Sequence, residues 1–384
     1  MSTRRKNVLI IGMADSIHVA RWIAQFRNLP INFTIFPSSP HRRIHPLLAQ
    51  FITSTSGDEM TVAIRPAVMR WAAFVLSAID IPLRNFLRGR LLRHLLAGSN
   101  FDVIHVLEFQ HAGYLLLDAK TDQIRSKVIL TNWGSDIYWF QKFPRHRLRI
   151  EQLLKIADEY SAECQRDIDL VRAMGYTGKV LPLIPNSGGI DPEGIPKPYV
   201  STSQRNKIMV KGYTGFVGRA LTALTACELA ADYLKGYQII VYSASLRARL
   251  YLIRLRRHRG LDVTRLKKRT PHREMLRYFS EARVYLGVSL SDGIGTSLLE
   301  AMATGCYPIQ TDTSCAHEWI SADSGSLVPP HDISRISREL IVALTDDQRV
   351  NSASQINMAT IASRATVGAV AAKAHSFYEF YTEK

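Results

Sequence analysis

Ser291-Asp292-Gly293-Ile294-Gly295-Thr296-Ser297-Leu298-Leu299-Glu300-Ala301-Met302-Ala303-Thr304-Gly305-Cys306 is the stretch whose reading decides the fold. It follows an apolar run, Ala282 to Leu290, that reads as a buried strand. Two glycines open a loop. Thr296 or Ser297 is placed to cap a helix whose apolar positions include Leu298, Leu299 and Met302. Gly305 suits a left-handed cap at its end, and Tyr307 to Gln310 reads as a second short strand. Strand, glycine turn, helix and strand form a βαβ unit, the building block of an α/β fold with a parallel sheet.

That geometry carries chemistry. The first turn of a helix leaves backbone N–H groups unpaired and bears partial positive charge. Glycines let a ligand approach the backbone, and the hydroxyls of Thr296 and Ser297 add donors. The arrangement suits a phosphate or diphosphate. Asp292 and Glu300 bracket the turn, and both can accept hydrogen bonds from the hydroxyls of a sugar or ribose. The plain alternative is an ordinary βα turn; the paired carboxylates argue against it.

The chain has 384 residues, enough for two domains with their own cores. No apolar run reaches the roughly 18–20 residues needed to span a bilayer. Met1 to Lys6 is basic, but Asn7 to Gly12 is too short for a signal-peptide core and reads as a first strand. Cys164, Cys227, Cys306 and Cys315 lack metal-ligand spacing and read as reduced thiols, so no metal is expected and a cytoplasmic setting is. The formal charge of +16 implies attraction to a polyanion. The arginines are dispersed and not interleaved with an aromatic platform, so nucleic acid ranks low among the partners.

Working outward, the chain opens with a βαβ pattern of its own. The strand ending at Gly12 leads through Met13-Ala14-Asp15-Ser16 into a helix, then to a strand from Ile31 to Phe36. Met69 to Ile79 is apolar on all sides and reads as a packed helix. Leu83 to Ala97 is leucine-rich with Arg84, Arg88, Arg90 and Arg93; it is either a partly buried helix with snorkelling arginines or a membrane-surface contact. Phe101 to Val106 is a strand with His105 near its end, and Val128 to Thr131 is another, followed by Trp133-Gly134-Ser135-Asp136. In an open parallel sheet these sequences share the carboxyl rim with Gly12 to His18. Pro185 to Pro198 reads as a linker. A second αβ pattern follows. Lys207 to Val210 is a strand, with Lys211 to Arg219 as its glycine-rich loop, and Leu246 to His258 is a basic, solvated helix. A last helix spans about Val367 to Tyr381. The expected division is 1–197, 198–365 and a terminal segment 366–384.

The opening stretch resembles the signature of retaining glycosyltransferases of family four, an acidic residue and a glutamate separated by seven residues on a strand–loop–helix. Asp292 stands where that family usually has glutamate, and Glu300-Ala301-Met302-Ala303-Thr304-Gly305 matches its run closely. Further motifs extend the resemblance. They are Asp15-Ser16-Ile17-His18 with Arg21-Trp22, Phe101 to Gly113, Gly134-Ser135-Asp136, Pro185-Asn186-Ser187-Gly188-Gly189, and Lys211 with Arg219. The last pair occurs in the order opposite to the family's usual Arg then Lys.

The resemblance implies a GT-B fold: two Rossmann-like domains facing each other across a cleft. The nucleotide sugar is held mainly by the C-terminal domain, and the last helix packs back on the N-terminal one. It implies a metal-independent, retaining hexosyltransferase without a cofactor. The expected donor is a UDP-sugar, with a GDP-sugar as the alternative. Lys211 and Arg219 would hold the diphosphate with Gly293, Ile294, Gly295, Thr296 and Ser297; Glu300 would bind the ribose and Asp292 the sugar. Gly12, Asp15 and Ser16 would contribute from the N-terminal loop, and His18, Asp136 or His105 would orient the acceptor or steady the developing cation. At His105 a structural histidine is the stronger reading, and at Asp136 a turn residue is the alternative. The acceptor is a sugar, a lipid-linked saccharide or a small molecule, in surface polysaccharide, glycolipid or other glycoconjugate synthesis. The protein is expected as a monomer or homodimer, with peripheral contact to an anionic membrane. The rival readings are a non-catalytic nucleotide-sugar-binding protein or partner subunit, and an isomerase on the same fold.

Overall fold

The first strand, β1 (Lys6–Gly12), is built from Val8, Leu9, Ile10 and Ile11, none of which reaches solvent. A strand apolar on both faces is stable only in the middle of a sheet covered on both sides. In the computed structural model, which describes residues 5–52, 59–80, 82–83, 85–120, 124–196, 200–267, 270–313 and 315–379, that is where β1 lies.

The chain divides into two units, residues up to Gly188 together with the segment from Val370, and Gly189–Ala369. The first holds a seven-stranded sheet: β1, β2 (Ile31–Pro37), β3 (Met60–Ile64), β4 (Val103–Leu107), β5 (Lys127–Thr131), β6 (Glu159–Ser161) and β7 (Lys179–Val180). Their order is β3-β2-β1-β4-β5-β6-β7, every pairing parallel. The second unit holds β8 (Lys207–Lys211), β9 (Gln238–Tyr242), β10 (Asp262–Arg265), β11 (Ala282–Gly287), β12 (Tyr307–Thr311) and β13 (Ser326–Val328). They are ordered β10-β9-β8-β11-β12-β13, again all parallel. Each sheet therefore grows first to one side of its opening strand and then to the other. The reversal points, between β1 and β4 and between β8 and β11, leave a crevice outside the carboxyl ends of the strands.

The last described residues are tied into the first unit. Phe377 and Tyr378 are buried against Trp22 and Phe26, and the Trp22 indole N–H donates to the Tyr378 hydroxyl at 2.9 Å. The final helix runs Val367–His375 and ends in a single tighter turn to Tyr378, shorter than the expected span; residues 380–384 lie outside the described residues.

Other expectations are corrected. The helix Val68–Asp80 is not packed on all sides: Met69, Ala73 and Ser77 face the core, while Trp71, Val75 and Ile79 face solvent. In the next helix, Phe86–Ala97, Arg88 is buried on Asp80 at 3.1 Å and Arg90 is exposed; Arg84 lies outside the described residues. The reading of free thiols is met at Cys227 and Cys306, both buried, and not at Cys164 and Cys315. Among the described residues no helix is long and apolar enough to cross a membrane.

Candidate active site

The second unit's reversal point collects most of the residues singled out by sequence. Lys211 ends β8, and the loop after it is sewn to the loop after β11 by backbone bonds. The Arg219 N–H donates to the Val288 carbonyl at 2.7 Å, and the Leu290 and Ser291 N–H groups donate to the Phe216 carbonyl at 2.8 and 3.1 Å. Gly218 makes the first loop tight, since a Cβ there would lie 2.4 Å from that of Tyr213. Thr214, Gly215, Gly218, Arg219, Thr222 and Arg247 line a hollow of about 320 Å³ at the start of the helix Ala220–Leu229.

Lys211 bridges the two loops. Its Nζ donates to Asp292 Oδ2 at 2.8 Å, and Asp292 Oδ1 accepts from the Gly293 N–H at 3.0 Å. Burial pulls the ammonium pKa down, but the Asp292 charge, aided by Tyr285 and the Asp292 hydrogen bond, outweighs it and leaves the pKa raised. Lys211 is thus a fixed positive charge in a shielded place. Arg219 is half-buried at the mouth of the following helix.

The helix Thr296–Ala303 points its N-terminus out of the β11 loop. Here the sequence reading needs correction: neither Thr296 nor Ser297 is the cap. Gly295 occupies that position in extended conformation (φ −61°, ψ 125°), with no side chain to bond the first turn. A cap without an acceptor leaves the leading N–H groups to an outside ligand. Ile294 is buried and anchors the loop from below. Glu300, one turn in, is also buried, and its Oε1 lies 2.7 Å from Nε2 of His272, the first residue of the helix His272–Ser280.

In the first unit, Gly12 ends β1, where a Cβ would press Val19 at 3.1 Å; Asp15 is exposed. Ser16 caps the helix Ile17–Ala24 by accepting from the His18 N–H at 3.1 Å. The His18 ring bonds the Asn186 carbonyl through Nδ1 at 3.0 Å and packs on Trp133. The same Trp133 donates its backbone N–H to Asp136 Oδ2 at 2.8 Å, and Phe109 donates to that oxygen at 3.0 Å. Asp136 is therefore turned inward on two backbone donors. Burial, and then the nearby Glu108 charge, push its pKa well above the usual carboxylate range. His105 is fully buried between the Tyr378 hydroxyl (2.6 Å) and the Thr131 hydroxyl (2.7 Å), and burial lowers its pKa to about 3. It is a neutral structural histidine.

Two family models match the chain. One, described as glycosyl transferase 4-like, covers residues 7–159, and the other, glycosyl transferases group 1, covers residues 247–360. Together the two matches support a glycosyltransferase of the family-four type. Its α/β architecture is that of the GT-B structures. A sucrose-phosphate synthase from Thermosynechococcus elongatus superposes with a TM-score of 0.73 at 14% identity, covering 97% of this chain and 98% of its own. HepE of Anabaena, in complex with UDP and glucose, gives 0.69 at 13% identity over 97% and 99%. An E. coli structure named for trehalose-6-phosphate and bound with UDP-2-fluoro glucose gives 0.70 at 14% identity over 97% and 98%. No curated protein sequence matches.

Sequence reasoning missed two parts of this glycosyltransferase's candidate site. His272 stands 28 positions before Glu300 in the chain, and no local pattern links them. Glu108 holds the turn after β4 by accepting from the His111 and Ala112 N–H groups, with a positive φ of 87° that sequence does not announce. The only available signal was its position directly after a buried strand.

Proposed function

We propose that this glycosyltransferase moves a hexose from a UDP-sugar to an acceptor hydroxyl with retention of anomeric configuration and with the protein's own cations in place of a metal. The observation that carries the reading is the grouping at the second reversal point: Lys211 and Arg219 on one loop, and an uncapped helix N-terminus behind Gly295 on the adjoining one. A departing diphosphate requires positive charge and N–H donors, and these adjoining loops carry both. Structural neighbours bound with UDP and with UDP-2-fluoro glucose support the nucleotide class, with GDP as the alternative.

In this reading Lys211 and Arg219 hold the diphosphate, Arg219 with its two-pronged guanidinium. The N–H groups of Thr296 and Ser297 take the remaining oxygens, and Glu300, steadied by His272, accepts from the ribose hydroxyls. Asp292 is the candidate for the sugar hydroxyls. The anomeric carbon–phosphate oxygen bond breaks through an oxocarbenium-like state. The acceptor oxygen bonds that carbon on the same face, and its proton passes to the leaving phosphate. His18, which packs on Trp133, is the candidate to orient an acceptor. The product belongs to surface polysaccharide, glycolipid or another glycoconjugate.

The test is transfer from UDP- and GDP-hexoses to glycoside acceptors, with the product anomer read by NMR and the assay repeated with chelator. Retained configuration and chelator-insensitive turnover are expected; an inverted product would overturn the reading. Donor hydrolysis without acceptor separates the enzyme from a non-catalytic binder, which would show none.

A further inference from the structure

The helix Val68–Asp80 carries apolar side chains on the wrong side. Met69, Ala73, Ser77 and Asp80 face inward. At 100° per residue, Val68, Trp71, Val75 and Ile79 fall together on the opposite face. All four are exposed, Trp71 by 81%, as are Leu83 in the following turn and Phe86 at the start of the next helix. A run of this kind is rare on a surface that meets only water.

The charged side chains that stack on the ridge's rings are arginines. Arg42 stacks over Phe74, Arg70 over Trp71 and Arg90 over Phe86, with guanidinium carbons 4.6, 5.1 and 5.3 Å from the ring centres. Between Arg65 and Gly98 the sequence has a single acidic residue, Asp80. It is withdrawn from the surface entirely: it is 0% exposed, pairs with Arg88 Nε at 3.1 Å, and accepts from the Leu87 N–H at 2.7 Å. An exposed Trp and branched aliphatics framed by arginines, with no free carboxylate on these helices, complement an anionic lipid surface. The ring and the aliphatics enter the acyl boundary while the guanidinium groups stay among the headgroup phosphates.

We infer that the Val68–Asp80 ridge, with Leu83 and Phe86, docks the protein on an anionic membrane face. The inference gives the membrane contact expected from the sequence a defined surface, and it rests on none of the proposed function's chemistry. A second copy of the chain is a poorer occupant, because Arg42, Arg70 and Arg90 would meet their own like charges across a two-fold interface.

The experiment is cosedimentation of the full chain, without donor or acceptor, with vesicles of phosphatidylglycerol and phosphatidylcholine and with phosphatidylcholine alone. Wild type is expected to bind the anionic vesicles and release them as salt is raised. Trp71→Ser should weaken partitioning about ten-fold or more through lost apolar burial. Arg70→Ser should weaken it about five-fold on anionic vesicles only. Both sites are at the surface, so melting temperature and transfer to a soluble acceptor should hold. Absence of wild-type binding, equal binding by Trp71→Ser, or a concentration-dependent dimer abolished by the same substitution would each overturn the inference. Because binding is read without substrate, failure here leaves the transferase reading standing, and loss of transferase activity leaves the docking result standing.

Discussion

Lys211 Nζ and Asp292 Oδ2 stand 2.8 Å apart, joining the loop after β8 to the loop after β11. The pair places a fixed cation and the acidic residue of the glycine loop within one hydrogen bond. The ammonium pKa is raised, so Lys211 stays charged throughout the ordinary assay range. Removing it takes away charge from the proposed diphosphate seat and the Lys211 contact from Asp292. Lys211→Ala should lower kcat/KM by about ten-fold or more, at least about 1.4 kcal/mol of transition-state stabilisation. Steady-state kinetics with a matched donor checks this, and unchanged turnover would remove Lys211 from the site. The stability that Lys211's raised pKa contributes is fully present below the ordinary lysine pKa and is lost as pH rises through the raised one.

His272 is expected to act through Glu300. With Nε2 held at 2.7 Å from Oε1, it fixes the carboxylate that would receive the ribose. His272→Ala should raise the donor KM about five-fold, the worth of one hydrogen bond, with kcat little altered. A merely structural role predicts a lower melting temperature with KM intact. Comparing UDP-sugar KM with thermal stability in the one variant distinguishes the two.

His105 supplies a pH signature in the other unit. Its pKa is depressed from the usual histidine value to about 3 by burial, so the unfolded chain takes up a proton there that the folded chain refuses. Its stabilising effect is therefore complete above pH 6.5 and is lost as pH falls from there towards about 3. Denaturant midpoints measured over that interval should fall less steeply in His105→Gln than in wild type. Parallel curves would show that His105 does not drive the acid limb.

Gly305 should matter for stability and not for the donor. It has φ of +76°, and a Cβ there would lie 2.3 Å from the Ser354 hydroxyl. Gly305→Ala should cost about 1–2 kcal/mol from the left-handed backbone, and more from the clash. Urea denaturation checks it, with donor KM expected to stay near wild type.

Much of this was legible from residue pattern. The β11–helix–β12 unit showed itself because a buried parallel strand reads as a continuous apolar run and glycines punctuate its ends. The edge strands of the second sheet did not show. β13 is three residues long, and β10 carries Asp262 and Arg265 outward, so neither produces a run. The cap at Gly295 is hidden from local pattern because hydroxyl residues are the usual caps and stand next to it. Whether Asp136 faces ligand or backbone depends on donors at Phe109, 27 positions away, which no local reading supplies. For the helix Val68–Asp80, composition reports apolarity and does not say which face finds a partner.

The most direct measurement is the affinity advantage of a nucleoside diphosphate over its monophosphate, by calorimetry with UDP against UMP and GDP against GMP, in wild type and in Lys211→Ala/Arg219→Ala. For the base the enzyme accepts, the account predicts a clear diphosphate advantage in wild type that collapses in the double variant while monophosphate binding persists. An advantage of the same size in both proteins would contradict it.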